Sequence, residues 1–192
     1  MNLKPVGQNI AHQRRCPSWR TARFCKLFPG IRQGNQATFG IGLCKQLDAL
    51  LLINDDVDIA VEVNADGVHL GPEDMDIQEA RARLGSDKII GITCHNDIQL
   101  AREAEQAGAD YVALGRFFGS SSKPSAPPAS LDTLQQAVNE LSIPVCAIGG
   151  ISPENAPKLI GKGAHMIAVI NGVFGTWNVT KAAKAYTKLF GH

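Results

Sequence analysis

From residue 48 onward, short apolar runs alternate with stretches of helical periodicity, and this alternation restricts the chain to very few folds. The runs are Ala49–Ile53, Gly67–Leu70, Lys88–Thr93, Tyr111–Leu114, Ile143–Ile148 and His165–Ile170. Each is mostly apolar and rich in β-branched residues, which suits parallel strands covered on both faces. Between them, Asp97–Ala107 places Ile98, Ala101, Ala104 and Ala107 on one face, opposite Arg102, Glu103 and Gln106. Ser130 is a candidate N-cap for a helix carrying Leu131, Leu134, Ala137, Val138 and Leu141. Ser152-Pro153-Glu154 reads as another helix start, with serine as N-cap and proline at the first helical position. Six such β-then-α units predict a parallel sheet, either doubly wound or rolled into a barrel.

The ends of the last two runs favour the barrel. Ile148-Gly149-Gly150-Ile151 and Ala168-Val169-Ile170-Asn171-Gly172 both bring glycine to the point where a strand gives way to a helix. Glycine lets backbone N–H groups approach an oxyanion there, and the following helix adds its positive end. Phosphate-binding barrels hold their phosphate in these loops. No Gly-x-Gly-x-x-Gly follows the first run, so a dinucleotide fold loses ground. The expected fold is α/β, a (β/α)8-type phosphate-binding barrel that lacks a regular first two βα units.

The segment before residue 48 has a different character. Residues 1–47 carry eight Lys or Arg and no Asp or Glu, whereas the other 145 carry 11 basic and all 18 acidic residues, a formal charge of −7. Pro5, Pro17, Pro29 and the glycines at 7, 30, 34, 40 and 42 interrupt every candidate run, so no strand is expected before Ala49. A helical pattern returns at Leu43–Leu47. An arginine-rich, acid-free start can be a transit segment, but Ser18 is its only serine. A stretch from another reading frame, joined near Gly42–Lys45, fits better. Two parts are therefore expected: a basic, irregular segment at 1–43 and a partial barrel catalytic domain at 44–192.

Over the whole chain the charges nearly cancel, at a formal +1, so neither nucleic acid nor an anionic membrane is expected as partner. No apolar run approaches the length of a membrane span. The five cysteines (Cys16, Cys25, Cys44, Cys94, Cys146) lack a Cys-x-x-Cys or Cys/His ligand spacing. They point to reduced thiols in the cytoplasm and away from zinc.

Three further loops carry candidate chemistry. Ile53-Asn54-Asp55-Asp56 ends the first run, and Asp74 follows Asp55 by nineteen residues in Leu70-Gly71-Pro72-Glu73-Asp74. That interval is one βα unit, which puts both carboxylates on neighbouring loops at the C-terminal rim, where barrel chemistry is done. Two carboxylates with room for water suit Mg²⁺; plain loop and cap roles are the alternative. Gly115-Arg116-Phe117-Phe118-Gly119-Ser120-Ser121-Ser122-Lys123-Pro124 can wrap phosphate oxygens with hydroxyls, N–H groups and an ammonium. The same stretch can instead be a flexible linker running through Ser125-Ala126-Pro127-Pro128. In Gly91-Ile92-Thr93-Cys94-His95, Thr93 or His95 can reach a substrate or cap the helix near Asn96, and Cys94 reads as a packed residue. Glu62, Asp66, His69 and His165 read as surface or core residues.

In order and spacing these segments resemble the thiamine phosphate synthase family. The resemblance rests on Leu52-Ile53-Asn54-Asp55-Asp56-Val57, on Ala65-Asp66-Gly67-Val68-His69-Leu70-Gly71 with Asp74, and on Gly91-Ile92-Thr93-Cys94-His95. It also rests on Ala109-Asp110-Tyr111 with the Ser120–Lys123 loop, on Ala147-Ile148-Gly149-Gly150-Ile151, and on Val169-Ile170. It implies a Mg²⁺-dependent transferase that joins an aminomethylpyrimidine pyrophosphate to a thiazole phosphate, giving thiamine phosphate and pyrophosphate. In that family the step is largely dissociative, so charge must be neutralised on the leaving pyrophosphate. By resemblance, Asp55 and Asp74 would hold Mg²⁺ and Lys123 would pair with pyrophosphate oxygens, these three being the catalytic set. Asn54 and Thr93 would contact the pyrimidine. Ser120, Ser121 and Ser122, with Gly150, Ile170 and Asn171, would hold the thiazole phosphate. The implied partners are these two small molecules and, at most, further copies of the chain as a homo-oligomer.

The sequence departs from the family in places. Serines stand for threonines often seen in the Ser120–Lys123 loop, and Asn171 stands where serine is common. The family's Gln-x-Arg-x-Lys pattern after its second strand, which clamps pyrophosphate, does not occur before residue 48, and neither does the first strand's Tyr…Thr-Asp ending. The nearest candidates are Gln13-Arg14-Arg15 and Arg32-Gln33. Two other functions are compatible with parts of the pattern. A thiazole tautomerase would use His95 and would need neither Asn54, Asp55, Asp74 nor Lys123, whose presence argues against it. A non-catalytic module would bind a thiazole or thiamine phosphate through the C-terminal half alone.

Overall fold

A computed structural model describes residues 23–27, 34–119 and 128–190, with side chains from residue 40 onward. Seven parallel strands lie in chain order in one sheet. They are β1 (Arg23–Leu27), β2 (Ala49–Asn54), β3 (Gly67–Leu70), β4 (Ile89–His95), β5 (Tyr111–Leu114), β6 (Val145–Ile148) and β7 (Met166–Ala168). The helices between and after them are α1 (Gly34–Gln46), α2 (Val57–Glu62), α3 (Ile77–Leu84), α4 (Ile98–Gln106), α5 (Leu131–Glu140), α6 (Ala156–Gly161), α7 (Asn171–Phe174) and α8 (Val179–Thr187). This is the wall of a (β/α) barrel. Among the described residues β1 and β7 are its two edges.

One expectation needs correction. Arg23–Leu27 is a strand, paired in parallel with β2 from Arg23↔Ala49 to Leu27↔Ile53, and α1 connects the two. The stretch reads Arg-Phe-Cys-Lys-Leu, too polar and too short to signal a strand alone, and its pairing with β2 supplies what local pattern does not. One of the two missing βα units is therefore present. Residues 23–27 and 34–43 are regular rather than irregular, and α1 runs across the expected junction near Gly42–Lys45.

Residues along each strand alternate between two environments. Leu51 and Ile53, Val68 and Leu70, Ile90 and Ile92, Val112 and Leu114, and Val145 and Ala147 belong to one large core shared with residues of the helices. The intervening positions Leu52, Tyr111, Ala113, Cys146 and Met166 form a second, smaller cluster on the inner face. At about 1.5–3 kcal/mol for each fully buried large side chain, the outer core dominates the stability of the wall.

The barrel floor repeats one device. The residue before a strand exchanges backbone and side-chain hydrogen bonds with the preceding strand. Asp66 donates its N–H to the Leu51 carbonyl (3.0 Å) and accepts the Leu51 N–H on Oδ2 (2.8 Å). Asp110 does the same with Ile90 (2.8 Å each) and also accepts Arg81 Nη2 at 2.6 Å. His165 does it with Val145, its Nδ1 accepting the N–H at 3.1 Å. These residues satisfy backbone groups near strand starts, so half-buried Asp66 and exposed His165 each have a specific role in place of the open choice between surface and core.

Helix starts follow their caps. Ser130 Oγ accepts the Thr133 N–H as expected. The helix after β4 is capped by Asp97, whose Oδ1 accepts from Gln99 and Leu100, rather than by Thr93 or His95. The helix expected from Ser152 begins later, at Ala156. Asn155 Oδ1 accepts the Ser152 N–H, and the Ser152 carbonyl accepts the Asn155 and Ala156 N–H groups, so the first four residues close a turn instead. No helix among the described residues is long and apolar enough to cross a membrane.

Candidate active site

The candidate site residues that the structure describes gather at the C-terminal rim. Asn54 is the last residue of β2. Asp55 follows at φ +67°, a left-handed conformation that aspartate tolerates better than most side chains, and its N–H donates to the His69 carbonyl at 2.8 Å. That bond ties the loop after β2 to the end of β3. Asp56 turns away to cap α2, its Oδ1 accepting the Ile59 N–H at 2.9 Å. After β3, Asp74 folds back so that its Oδ2 accepts the Gly71 N–H at 2.6 Å, while its own N–H donates to the Gly71 carbonyl at 3.2 Å. Asp55 and Asp74 thus sit on the loops after successive strands, Asp55 held through its N–H and Asp74 through its carboxylate and N–H.

On the inner face, Thr93 Oγ1 lies 2.8 Å from His69 Nε2, and His69 Nδ1 lies 2.7 Å from the Tyr111 hydroxyl. The His69 and Tyr111 rings stack with centroids 5.5 Å apart. Gly91 makes room for this: a Cβ there would stand 2.0 Å from Tyr111 Cζ. Burial, and secondarily Cys146, push the Tyr111 phenol well above its ordinary range. At the end of β4 the pairing with β5 shifts between Thr93 and His95, and His95 sits at φ +50°. Cys94 is packed into the core, where burial first and Asp97 second push its thiol up to about 12. It is a packing residue with essentially no thiolate at neutral pH.

The opposite side of the rim is built from backbone. Gly149 (φ +94°) and Gly150 (φ +63°) both adopt conformations that favour glycine. A Cβ on Gly149 would lie 2.3 Å from Arg116 Cβ, and one on Gly150 would lie 2.3 Å from the Gly119 carbonyl oxygen. The segment after β5 lies directly on this turn, with the Phe117 and Phe118 N–H groups donating to the Ile148 and Gly149 carbonyls at 3.1 Å each. Ile170 precedes α7, which Asn171 opens. Tyr186 on α8 donates its hydroxyl to the Ile151 carbonyl at 2.9 Å, and Gly172 packs so closely that a Cβ would meet that hydroxyl at 2.0 Å. One tyrosine thereby fastens the loops after β6 and β7 to each other.

Asn54, Asp55, Asp74, Thr93, Gly150, Ile170 and Asn171 all come to this rim. Ser120, Ser121, Ser122 and Lys123 lie outside the described residues, between Gly119 and Pro128. Sequence reasoning missed His69, Tyr111 and Tyr186 as supports. For His69 the signal was a polar residue at an inward position of an otherwise apolar strand. Asp55 and Asp74 offer hard oxygen donors on adjacent loops. Among the described residues no three or more of His, Cys, Asp and Glu group to cage a metal. Two carboxylates suit an ion such as Mg²⁺, which keeps several waters and takes substrate oxygens.

Known proteins resemble this chain in sequence and in fold. A family model described as thiamine monophosphate synthase matches residues 34–173, beginning at the first residue of α1. The thiamine-phosphate synthase of Alcanivorax borkumensis is 56% identical over 133 residues, covering 69% of this chain and 61% of that protein. That of Nitrosospira multiformis is 51% identical over 148 residues, covering 77% and 63%. The match thus spans a little over three-fifths of these two relatives. The solved thiamine phosphate pyrophosphorylase of Pyrococcus furiosus superposes with a TM-score of 0.76 at 36% identity, covering 88% of this chain and 82% of the other. The chain belongs to the thiamine monophosphate synthase family.

Proposed function

We propose that this chain condenses an aminomethylpyrimidine pyrophosphate with a thiazole phosphate, forming thiamine phosphate and releasing pyrophosphate, in the cytoplasm. The observation that carries this reading is the division of one rim into two unlike halves. Asn54, Asp55, Asp74 and Thr93 supply polar side chains on β2, β4 and the loops after β2 and β3, while Gly149 and Gly150 put a left-handed glycine turn after β6, and Ile170 and Asn171 lead into α7 after β7. The first half suits a pyrophosphate and its cation, and the second suits a singly phosphorylated partner.

In the reaction the bond from the pyrimidine methylene carbon to the pyrophosphate oxygen breaks, and the oxygen keeps the electron pair. The thiazole nitrogen lone pair then forms the new bond to that carbon. Mg²⁺, when bound, supplies positive charge that stabilises the leaving pyrophosphate. Asp55 and Asp74 would hold it, with Asp74 steadied by the bond its Oδ2 accepts from the Gly71 N–H. Lys123 would pair with pyrophosphate oxygens. Asn54 and Thr93 would orient the pyrimidine. Ser120, Ser121 and Ser122, with Gly150, Ile170 and Asn171, would hold the thiazole phosphate so that its nitrogen faces the methylene carbon.

The test is pyrophosphate release from the purified chain given both substrates and Mg²⁺. Asp55→Asn is the control, because asparagine tolerates φ +67° and removes only the charge. Release that needs both substrates and falls about 100-fold or more in the variant supports the reading. Absence of release from folded protein, or release that ignores the thiazole phosphate, rejects it.

A further inference from the structure

Behind Thr93 stands a chain of hydrogen bonds that runs into the barrel: Thr93 Oγ1 to His69 Nε2 at 2.8 Å, then His69 Nδ1 to the Tyr111 hydroxyl at 2.7 Å. Heavy-atom positions allow two directions of donation, and the chemistry of the groups chooses between them. A phenol is a good donor and a poor acceptor, because its oxygen lone pair is delocalised into the ring. A neutral imidazole has one strong acceptor nitrogen and one N–H. The favoured arrangement therefore has the Tyr111 O–H donating to His69 Nδ1. The His69 Nε2–H then donates to Thr93 Oγ1. With its oxygen already accepting from behind, the Thr93 hydroxyl directs its own proton outward to the half-buried rim.

We infer that Tyr111 and His69 are positioning residues that fix Thr93 as a hydrogen-bond donor, making the site selective for a heteroaromatic substrate that presents an unprotonated ring nitrogen there. The surroundings hold the chain in place. His69 is nearly buried at 4% exposure, lies between Asn54 and Gly91 in the sheet, and stacks on Tyr111. Gly91 leaves the space that the Tyr111 ring fills. Reversing the chain would make Tyr111 the acceptor and use the Thr93 proton on His69, so Thr93 would meet the substrate only as an acceptor. The selectivity rests on the reaction proposed above. The direction of the hydrogen bonds does not.

Two measurements on the full chain separate these. Imidazole ¹⁵N NMR reads the His69 tautomer directly, with His69→Gln identifying its signals. A proton on Nε2, with the tautomers mixing in Tyr111→Phe, supports the proposal, and a proton on Nδ1 overturns it. In steady-state pyrophosphate release, Tyr111→Phe is expected to raise KM for the pyrimidine substrate about tenfold and leave KM for the thiazole phosphate unchanged. His69→Gln, whose amide N–H can stand in for Nε2–H, is expected to stay near wild type, whereas His69→Leu shows the same rise. Equal KM rises for both substrates, or no rise in His69→Leu, would reduce the pair to structural support. If the wild-type chain releases no pyrophosphate, the reaction reading fails, while the tautomer still decides the positioning role.

Discussion

The two faces of this one sheet obey different rules. On the outer face the strand residues are uniformly apolar, from Leu51 and Val68 through Ile90 and Val112 to Val145, and all are buried under helices. On the inner face apolar Leu52, Ala113 and Met166 share the space with glycine, histidine, threonine, tyrosine and cysteine, and the contacts of the latter group are particular: Gly91 under the Tyr111 ring, His69 between two hydroxyls. An outer residue can be exchanged for another of similar volume. An inner one is fixed by what stands opposite it. Stability is therefore concentrated outside and specificity inside, although the residues are neighbours in sequence.

The sharpest test of the outer face is Leu114→Ala. Leu114 is fully buried in the outer core. Its truncation is expected to lower unfolding free energy by about 3 kcal/mol, measured by denaturant titration. A loss under about 1 kcal/mol would mean that the wall relaxes around the cavity, and the contrast between the faces would weaken.

Next comes the rim. Asp55→Asn is expected to cost about 100-fold in pyrophosphate release, roughly 2.7 kcal/mol of transition-state stabilisation, while the denaturant midpoint hardly moves. The Asp55 backbone bond to His69 survives the substitution and asparagine keeps the left-handed conformation. A variant that lost stability and activity in proportion would show that Asp55 belongs to the scaffold.

The same contrast explains what could be read in advance. Six strands were legible because outer-face residues such as Ile90, Ile92, Val112 and Val145 are β-branched and recur in every run. The positions of Asn54, Asp55, Asp74 and Thr93 at or just beyond the C-terminal parts of β2, β3 and β4 were legible because each lies close to the end of one of those runs. β1 was not: Arg-Phe-Cys-Lys-Leu becomes a strand only by pairing along β2. His69 was passed over because a lone histidine gives no local sign of the hydroxyls of Thr93 and Tyr111, which stand 24 and 42 residues away in the chain. Long-range partners of this kind are what a single sequence conceals.

Gly91→Ala probes the inner face with the smallest possible change. Its new Cβ would stand 2.0 Å from Tyr111 Cζ, inside any permitted contact, so the ring must move. Overpacking of this kind is expected to cost about 2 kcal/mol of stability. It should also raise KM for the pyrimidine substrate through the displaced hydroxyl. Combining it with Tyr111→Ala should cost less than the sum of the two single changes, because the clash disappears. Simple additivity would mean that glycine is needed there for some reason other than the tyrosine ring.

The smallest effect is expected furthest from both faces, on the solvent side of the helices. Glu140 on α5 accepts Arg102 Nε and Nη2 from α4 on one oxygen, at 3.0 and 2.6 Å, and Gln136 Nε2 on the other at 2.9 Å. The Gln136 bond first, and then the Arg102 guanidinium, hold its carboxyl below the ordinary carboxylate range. A carboxyl lowered in the folded state favours folding above its unfolded value, near about 4.3, and loses that effect as pH falls through the folded value. Both partners are exposed, however, and such pairs contribute little because water and salt screen them. Glu140→Gln is therefore expected to leave the denaturant midpoint unchanged at neutral pH in physiological salt. Any difference from wild type seen at low salt should vanish once the carboxyl is protonated. A loss approaching that of Leu114→Ala would place part of the wall's stability in its charged exterior, and the division between an outer face that holds the fold and an inner face that selects the ligand would no longer be sufficient.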